Sequence, residues 1–84
     1  MTPDSPKRFP ITVPDLGTGD DIIRISAWLV DVGQSLISGD RVVEVLAPGI
    51  TFDIAAVQTG QLLQIVKPVD ATVTAGEVVG WIET

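Results

Sequence analysis

The apolar residues of this chain come in short runs rather than at helical spacing. From Ile11 onward the runs are rich in Val and Ile, and Gly, Pro, Asp or Ser separates them every few residues. β-branched residues favour extended backbone, and this punctuation is typical of tight turns. The glycines also interrupt the longer stretches that a helix would need. The pattern predicts a nearly all-β domain with strands at 11–14, 22–30, 36–37, 41–46, 51–55, 61–67, 72–73 and 77–83.

The order of apolar residues repeats after a shift of 37 residues, which lays 28–45 over 65–82. The repeat predicts core positions in pairs, with a shared turn glycine: Leu29 with Val66, Val32 with Val69, Leu36 with Val73, Val42 with Val79, Val45 with Ile82, and Gly39 with Gly76. Two small sheets can each bury one face only by packing on one another. We therefore expect a flattened β-barrel of two four-stranded sheets related by pseudo-twofold symmetry.

The first ten residues, MTPDSPKRFP, differ from the rest of the chain. They hold three of the six prolines and little apolar surface. Proline suits neither a helix interior nor a central strand. We expect a flexible N-terminal segment at 1–10 and a single domain at 11–84.

The composition excludes several classes of function. The chain has no histidine and no cysteine, which removes the commonest general base, thiolate metal ligands and disulfides. A net charge of −6 opposes binding to nucleic acid or to an anionic membrane surface. No apolar run approaches the roughly 18 residues of a membrane helix. We expect a cytoplasmic protein that is not an enzyme and holds no metal.

A few acidic, basic and aromatic residues are candidates for a specific role. Asp15, Asp20 and Asp21 lack the alternating spacing of a calcium loop, so we interpret them as surface residues. Lys7 and Lys67 are expected to be solvated charges. The two tryptophans, Trp28 and Trp81, are not repeat partners and are expected to fill the core or a sheet edge.

One stretch, EVLAPGITFDI at 44–54, predicts a sharp hairpin with a chemically empty tip. Pro48 supplies the fixed φ of the second position of a type II turn, and Gly49 supplies the positive φ of the third. Leu46, Pro48 and Ile50 make this tip apolar. Two explanations remain open for such a surface: contact with another protein, or packing against a neighbouring loop or the N-terminal segment.

Three motifs resemble one known family. ITVPDLG (11–17), WLVDVGQSLISGD (28–40) and AGEVVGWIE (75–83) are similar to the lipoyl domains of dihydrolipoyl acyltransferases, the swinging-arm subunits of 2-oxoacid dehydrogenase complexes. The resemblance covers about residues 11–83 and favours the lipoyl branch over the biotinyl branch, whose Met-Lys-Met signature is absent. It implies the barrel-sandwich hybrid fold of biotinyl and lipoyl domains.

The resemblance also implies where a prosthetic group would be attached. In the family, a lysine in an Asp-Lys-Ala triplet lies ten residues after the glycine matched by Gly39 and eleven before the glycine matched by Gly60. Both counts give Gly49, so Pro48, Gly49 and Ile50 stand where the triplet would be. Glycine has no amine with which to form an amide. A second departure is Asp70, which stands where the family has a turn glycine and is expected to take up its conformation.

Taken together, the residues and the resemblance predict a degenerate, non-catalytic lipoyl-like domain that carries no cofactor. It would act as a protein-interaction or structural module, with subunits of a dehydrogenase complex as candidate partners and with Leu46, Pro48, Gly49 and Ile50 as the interaction tip. One alternative is an acyl carrier that is modified at Lys7 or Lys67, or that acts with a lipoylated partner. Another is a ligand-binding barrel with an internal pocket.

Overall fold

The computed structural model describes residues 6–17 and 22–84, and within them it contains strands and turns but no helix. The strands are β1 (Arg8–Thr12), β2 (Ile23–Trp28), β3 (Ser35–Leu36), β4 (Arg41–Ala47), β5 (Ile50–Ala55), β6 (Gly60–Ile65), β7 (Thr72–Val73) and β8 (Val78–Glu83). The prediction of an all-β domain is confirmed.

The strands form two four-stranded antiparallel sheets. We call the one in the order β1-β8-β6-β3 the terminal sheet and the one in the order β5-β4-β2-β7 the hairpin sheet. If 4 is added to each strand number of the terminal sheet, with β1 following β8, the order β1-β8-β6-β3 becomes β5-β4-β2-β7. This is the order of the hairpin sheet. The two sheets are thus related by the predicted pseudo-twofold symmetry.

The repeat holds down to single hydrogen bonds. Adding 37 to the bounds of β2 gives those of β6, and the same shift converts β3 into β7. The amide of Gly33 donates to the carbonyl of Leu62 at 2.7 Å, and the amide of Asp70 donates to the carbonyl of Ile25 at 2.8 Å. Asp70 is the repeat partner of Gly33, and Leu62 is the repeat partner of Ile25, so the two hydrogen bonds are equivalent. The two halves of the chain therefore share one backbone design.

The core lies between the sheets and is entirely apolar in the described residues. Three of the predicted pairs are buried: Leu36 with Val73, Val42 with Val79, and Val45 with Ile82. Two other predicted core pairs are wrong, since their side chains are exposed: Leu29 with Val66, and Val32 with Val69. These residues follow the ends of β2 and β6, where the chain leaves the sheets, so that no second layer covers them.

The first strand begins earlier than the apolar pattern predicts. It was expected at 11–14 but spans Arg8–Thr12, so residues 8–10 pair with β8 although they lie in the segment predicted to be flexible. Pro10 is tolerated because β1 is an edge strand, where only one side of the backbone needs partners. Residues 1–5 of that segment lie outside the described part of the chain.

Asp70 adopts the glycine-like conformation expected of it, with a φ of 73°, while its repeat partner Gly33 has a φ of 90°. A β-carbon crowds the backbone in this region. We expect Asp70→Gly to stabilise the protein by about 0.5 to 1 kcal/mol and Gly33→Asp to destabilise it by a similar amount. Urea unfolding of both variants measures the two changes. Equal destabilisation by both would contradict this account.

Candidate functional site

The β4–β5 hairpin closes with a two-residue turn. Ala47 and Ile50 are the last paired residues, which leaves Pro48 and Gly49 to make the connection. Gly49 has a φ of 75°, as the third position of a type II turn requires, while the proline ring holds the φ of Pro48 near −65°. A β-carbon on Gly49 would meet no atom within 4 Å. The turn is therefore an open, well-formed end of the hairpin sheet.

The surface around this turn is apolar. Leu46 and Ile50 are each 45% exposed, and Pro48 is exposed as well, whereas Ala47 is buried beneath them. We call Leu46, Pro48, Gly49 and Ile50 the hairpin tip. The described residues leave about half of each large side chain in this tip uncovered.

An open depression lies beside the tip and adds residues that sequence reasoning missed. It is lined by Ile22, Arg24, Leu46, Ala47, Pro48 and Gly49. Arg24 of β2 is the strand partner of Leu46, and the adjacent Ile22 is 62% exposed. Only the pairing of β2 with β4 reveals this, because the two segments are more than 20 residues apart in the sequence.

The tip cannot form the bond that attaches a lipoyl or biotinyl group. That bond is an amide between a carboxyl group and a lysine Nζ, and the turn from Ala47 to Ile50 carries methyl, ring, hydrogen and butyl side chains. The residues at this position therefore do not fit a covalently held prosthetic group. Their side chains form an exposed apolar surface instead.

The two lysines of the chain lie away from the β4–β5 turn. Lys67 follows β6, its Nζ lies 3.0 Å from the Glu77 carboxylate, and its carbonyl accepts a hydrogen bond from Trp28 Nε1 at 2.8 Å. The hydrogen bond from Lys67, with a second from the Thr74 amide, lowers the pKa of Glu77 below its usual value of 4.5. Lys7 precedes β1, and its carbonyl accepts the amide of Thr84 at 2.9 Å.

The other residues that the sequence singled out have local roles. Trp28 packs against the core with its ring, and Trp81 is the partner of Pro10 and Gln64 in the terminal sheet. Asp15 Oδ1 accepts the amide of Gly17 at 2.9 Å in a local turn. Asp20 and Asp21 lie outside the described residues.

Two further features of the described residues concern metal binding and membrane insertion. Across 6–17 and 22–84, no three His, Cys, Asp or Glu side chains come close enough together to hold a metal ion. Nor does that part of the chain contain a helix long and apolar enough to cross a membrane.

Comparison with known families fits this geometry. Residues 10–82 match the biotin/lipoyl family, which is described as "Biotin-requiring enzyme". A search of curated proteins finds no significant match. The match covers most of the chain, including both sheets and the hairpin tip. The chain therefore belongs to the biotinyl/lipoyl attachment-domain family, whose members are carrier-type domains.

Proposed function

We propose that this protein is a lipoyl-like domain that has lost its attachment residue and acts through protein contacts as an interaction or structural module. The observation that carries the proposal is the β4–β5 turn, where Gly49 stands at the position that the lipoyl resemblance gives to the modified lysine. This turn closes a regular two-residue hairpin, and none of its side chains carries an amine.

The neighbouring residues support the same proposal. In lipoyl domains the tip is charged, and both the ligases and the decarboxylases of the complexes recognise it there. Here Leu46 and Ile50 replace polar or small residues of that pattern, and both are exposed. Exposed apolar side chains gain nothing in water, so a surface of this kind favours a protein partner over an enzyme that recognises charge.

The competing proposal is a carrier whose arm is attached at another lysine. Lys67 suits this role poorly because its Nζ is engaged by Glu77 and its backbone is held by Trp28. Lys7 lies where the first and last strands meet, not in a hairpin turn that a modifying enzyme could recognise. Both lysines are better explained as structural or solvated charges.

The relationship to acyltransferases suggests the kind of partner. We propose a subunit of a 2-oxoacid dehydrogenase complex or a related acyltransferase, which the domain would meet in the cytoplasm. The support is the lipoyl-type motif ITVPDLG at 11–17, together with a chain free of cysteine. No catalytic step is assigned to the domain itself.

The intact mass of the protein isolated from its own cells, with peptide mapping, tests the loss of the carrier role. We expect the mass of the unmodified polypeptide and unmodified peptides around Lys7 and Lys67. A lipoyl or biotinyl adduct would overturn the proposal, and the modified peptide would show which lysine carries the arm.

A further inference from the structure

The four edges of the two sheets are not equivalent. The edge strands are β1 and β3 in the terminal sheet and β5 and β7 in the hairpin sheet. Since β3 and β7 contain two residues each, they offer little backbone to a partner. The edges of β1, with five residues, and of β5, with six, are long enough to bind another strand.

The edge of β1 is blocked by a proline. The Thr84 amide donates to the Lys7 carbonyl, so Lys7 and Thr84 form a hydrogen-bonded pair at the start of the β1–β8 ladder. Along an antiparallel edge strand, the N–H and C=O groups of one residue point to the neighbouring strand and those of the next residue point away from it. Phe9 and Ile11 therefore bond to β8, whereas Pro10 faces outward. Its missing N–H removes the central donor of the free edge without a loss to the sheet.

The edge of β5 has no such block. Ala47 and Ile50 flank the two-residue turn as its hydrogen-bonded pair, so the same alternation turns the N–H and C=O groups of Thr51, Asp53 and Ala55 outward. Asp53 pairs with Glu44 in the hairpin sheet, and Pro10 pairs with Trp81 in the terminal sheet. The 37-residue shift makes Trp81 the equivalent of Glu44. Asp53 thus occupies the position of Pro10 and keeps its N–H. In the described part of the chain no strand pairs with this side of β5.

We propose that this edge binds a second copy of the chain. The β5 strands of two copies pair antiparallel about a twofold axis and join their hairpin sheets into one continuous eight-stranded sheet. A closed twofold arrangement is the commonest form of association between identical soluble chains. It would pair the β5 edge of one copy with the β5 edge of the other, so that neither stays open.

Charge disfavours one register of this pairing. If Asp53 lay opposite Asp53 of the second copy, two like charges would face each other. With Phe52 opposite Phe52 of the second copy, Thr51 faces Asp53 instead, and each of these two pairs can exchange two backbone hydrogen bonds. The Asp53 carboxylate is already paired with its own Arg41 at 3.1 Å. The edge is therefore locally neutral despite the net charge of −6.

The apolar residues of β5 favour the same register. Phe52 is half-buried and lies on the same face of the strand as the buried Ile54. Opposite residues that are not hydrogen-bonded approach most closely, with Cα atoms about 4.5 Å apart. The two Phe52 rings would therefore cover one another, and the half-exposed Ile50 would lie opposite Ile54 of the second copy.

Sedimentation velocity on the full chain and two variants tests the proposal, over a concentration series that reaches the millimolar range. Asp53→Pro copies at β5 what Pro10 does at β1, while Asp53→Ala removes the same carboxylate but keeps the N–H. We expect the unchanged chain and Asp53→Ala to form dimers and Asp53→Pro to stay monomeric. A monomeric unchanged chain would overturn the proposal and leave the edge to a strand of another protein. Dimers of Asp53→Pro would overturn it too.

Amide hydrogen exchange provides a readout that needs no variant. The amides of Thr51 and Asp53 should exchange more slowly as the concentration rises, because they become hydrogen-bonded in the dimer. The outward amides of Arg8 and Thr12 on the β1 edge provide the internal control and should not change. Protection at β1 but not at β5 would contradict the proposed interface.

Discussion

Replacing Pro48, Gly49 and Ile50 by Asp, Lys and Ala should turn the chain from a protein that a lipoate ligase leaves untouched into one that it modifies fully. The β4–β5 hairpin already presents its turn to solvent, and a β-carbon at position 49 meets no atom within 4 Å. The new Nζ would supply the missing amine. Intact mass after incubation with ligase, lipoate and ATP measures the outcome.

The single variant Gly49→Lys should be a poorer substrate than the triple replacement. At a φ of 75° a lysine pays the steric cost of left-handed backbone, about 1 to 2 kcal/mol, and Pro48 fixes the type II turn that demands this φ. Removing Pro48 in the triple variant lets the turn change to one with negative φ at position 49. The comparison separates the presence of the amine from its presentation.

A lysine in another exposed turn provides the matched control. Gly39→Lys places the amine at a φ of 96° in open space, far from the hairpin tip in the sequence. We expect no modification there. A folded triple variant that stays unmodified by active ligase would contradict the placement of the attachment position at Gly49. Modification of Gly39→Lys would show that the ligase does not recognise the β4–β5 hairpin specifically.

Gly80→Ala should lower the free energy of unfolding by about 2 to 3 kcal/mol. Gly80 lies in β8, at the centre of the terminal sheet, and a β-carbon there would lie 2.9 Å from the Gln64 carbonyl oxygen and 2.9 Å from Trp28 Cη2. Neither neighbour can retreat freely: the first is backbone of a paired strand, and Trp28 is held by its bond to the Lys67 carbonyl. For a domain of this size the midpoint of thermal unfolding should fall by about 10 to 20 °C.

A double variant tests this cause. Trp28→Phe removes the part of the ring that the new methyl group would meet, so Gly80→Ala should cost less in that background than in the original chain. Gly76→Ala provides the control, because it is strained by a φ of 85° but meets no atom within 4 Å. Its cost should be the same in the original chain and in the Trp28→Phe background. Additive costs for Gly80→Ala and Trp28→Phe would show that the crowding lies elsewhere.

Much of the fold could be predicted because three strands, β2 to β4, recur 37 residues later as β6 to β8. A strand as short as Thr72–Val73 gives almost no signal alone, yet its repeat partner and the fixed distance to Gly76 locate it correctly. The conformation of Asp70 was predicted from the family resemblance, which places a turn glycine there, and its repeat partner Gly33 also has a positive φ. A repeat provides two copies of the same weak sequence pattern, so the residues that form strands and turns in both halves can be recognised.

Exposure and proximity could not be predicted in the same way. Leu29 and Val32 match the repeat as well as the core residues do, but the chain has left the sheet where they lie. The closeness of Arg24 to Leu46 depends on which strands are neighbours, and this is decided by the packing of both sheets. The outward direction of Asp53 depends on a hydrogen-bond alternation that starts at the turn.

The shared backbone design of the two halves has a consequence for chain connectivity. Lys7 and Thr84 are bonded at the end of the β1–β8 ladder as Ala47 and Ile50 are paired at the end of the β4–β5 ladder. Joining Thr84 to Lys7 would therefore make the path of the chain through its eight strands circular, and this junction would be equivalent to the β4–β5 turn. A circularly permuted chain, joined by two residues between Thr84 and Lys7 and opened between Pro48 and Gly49, would retain every strand pairing described above.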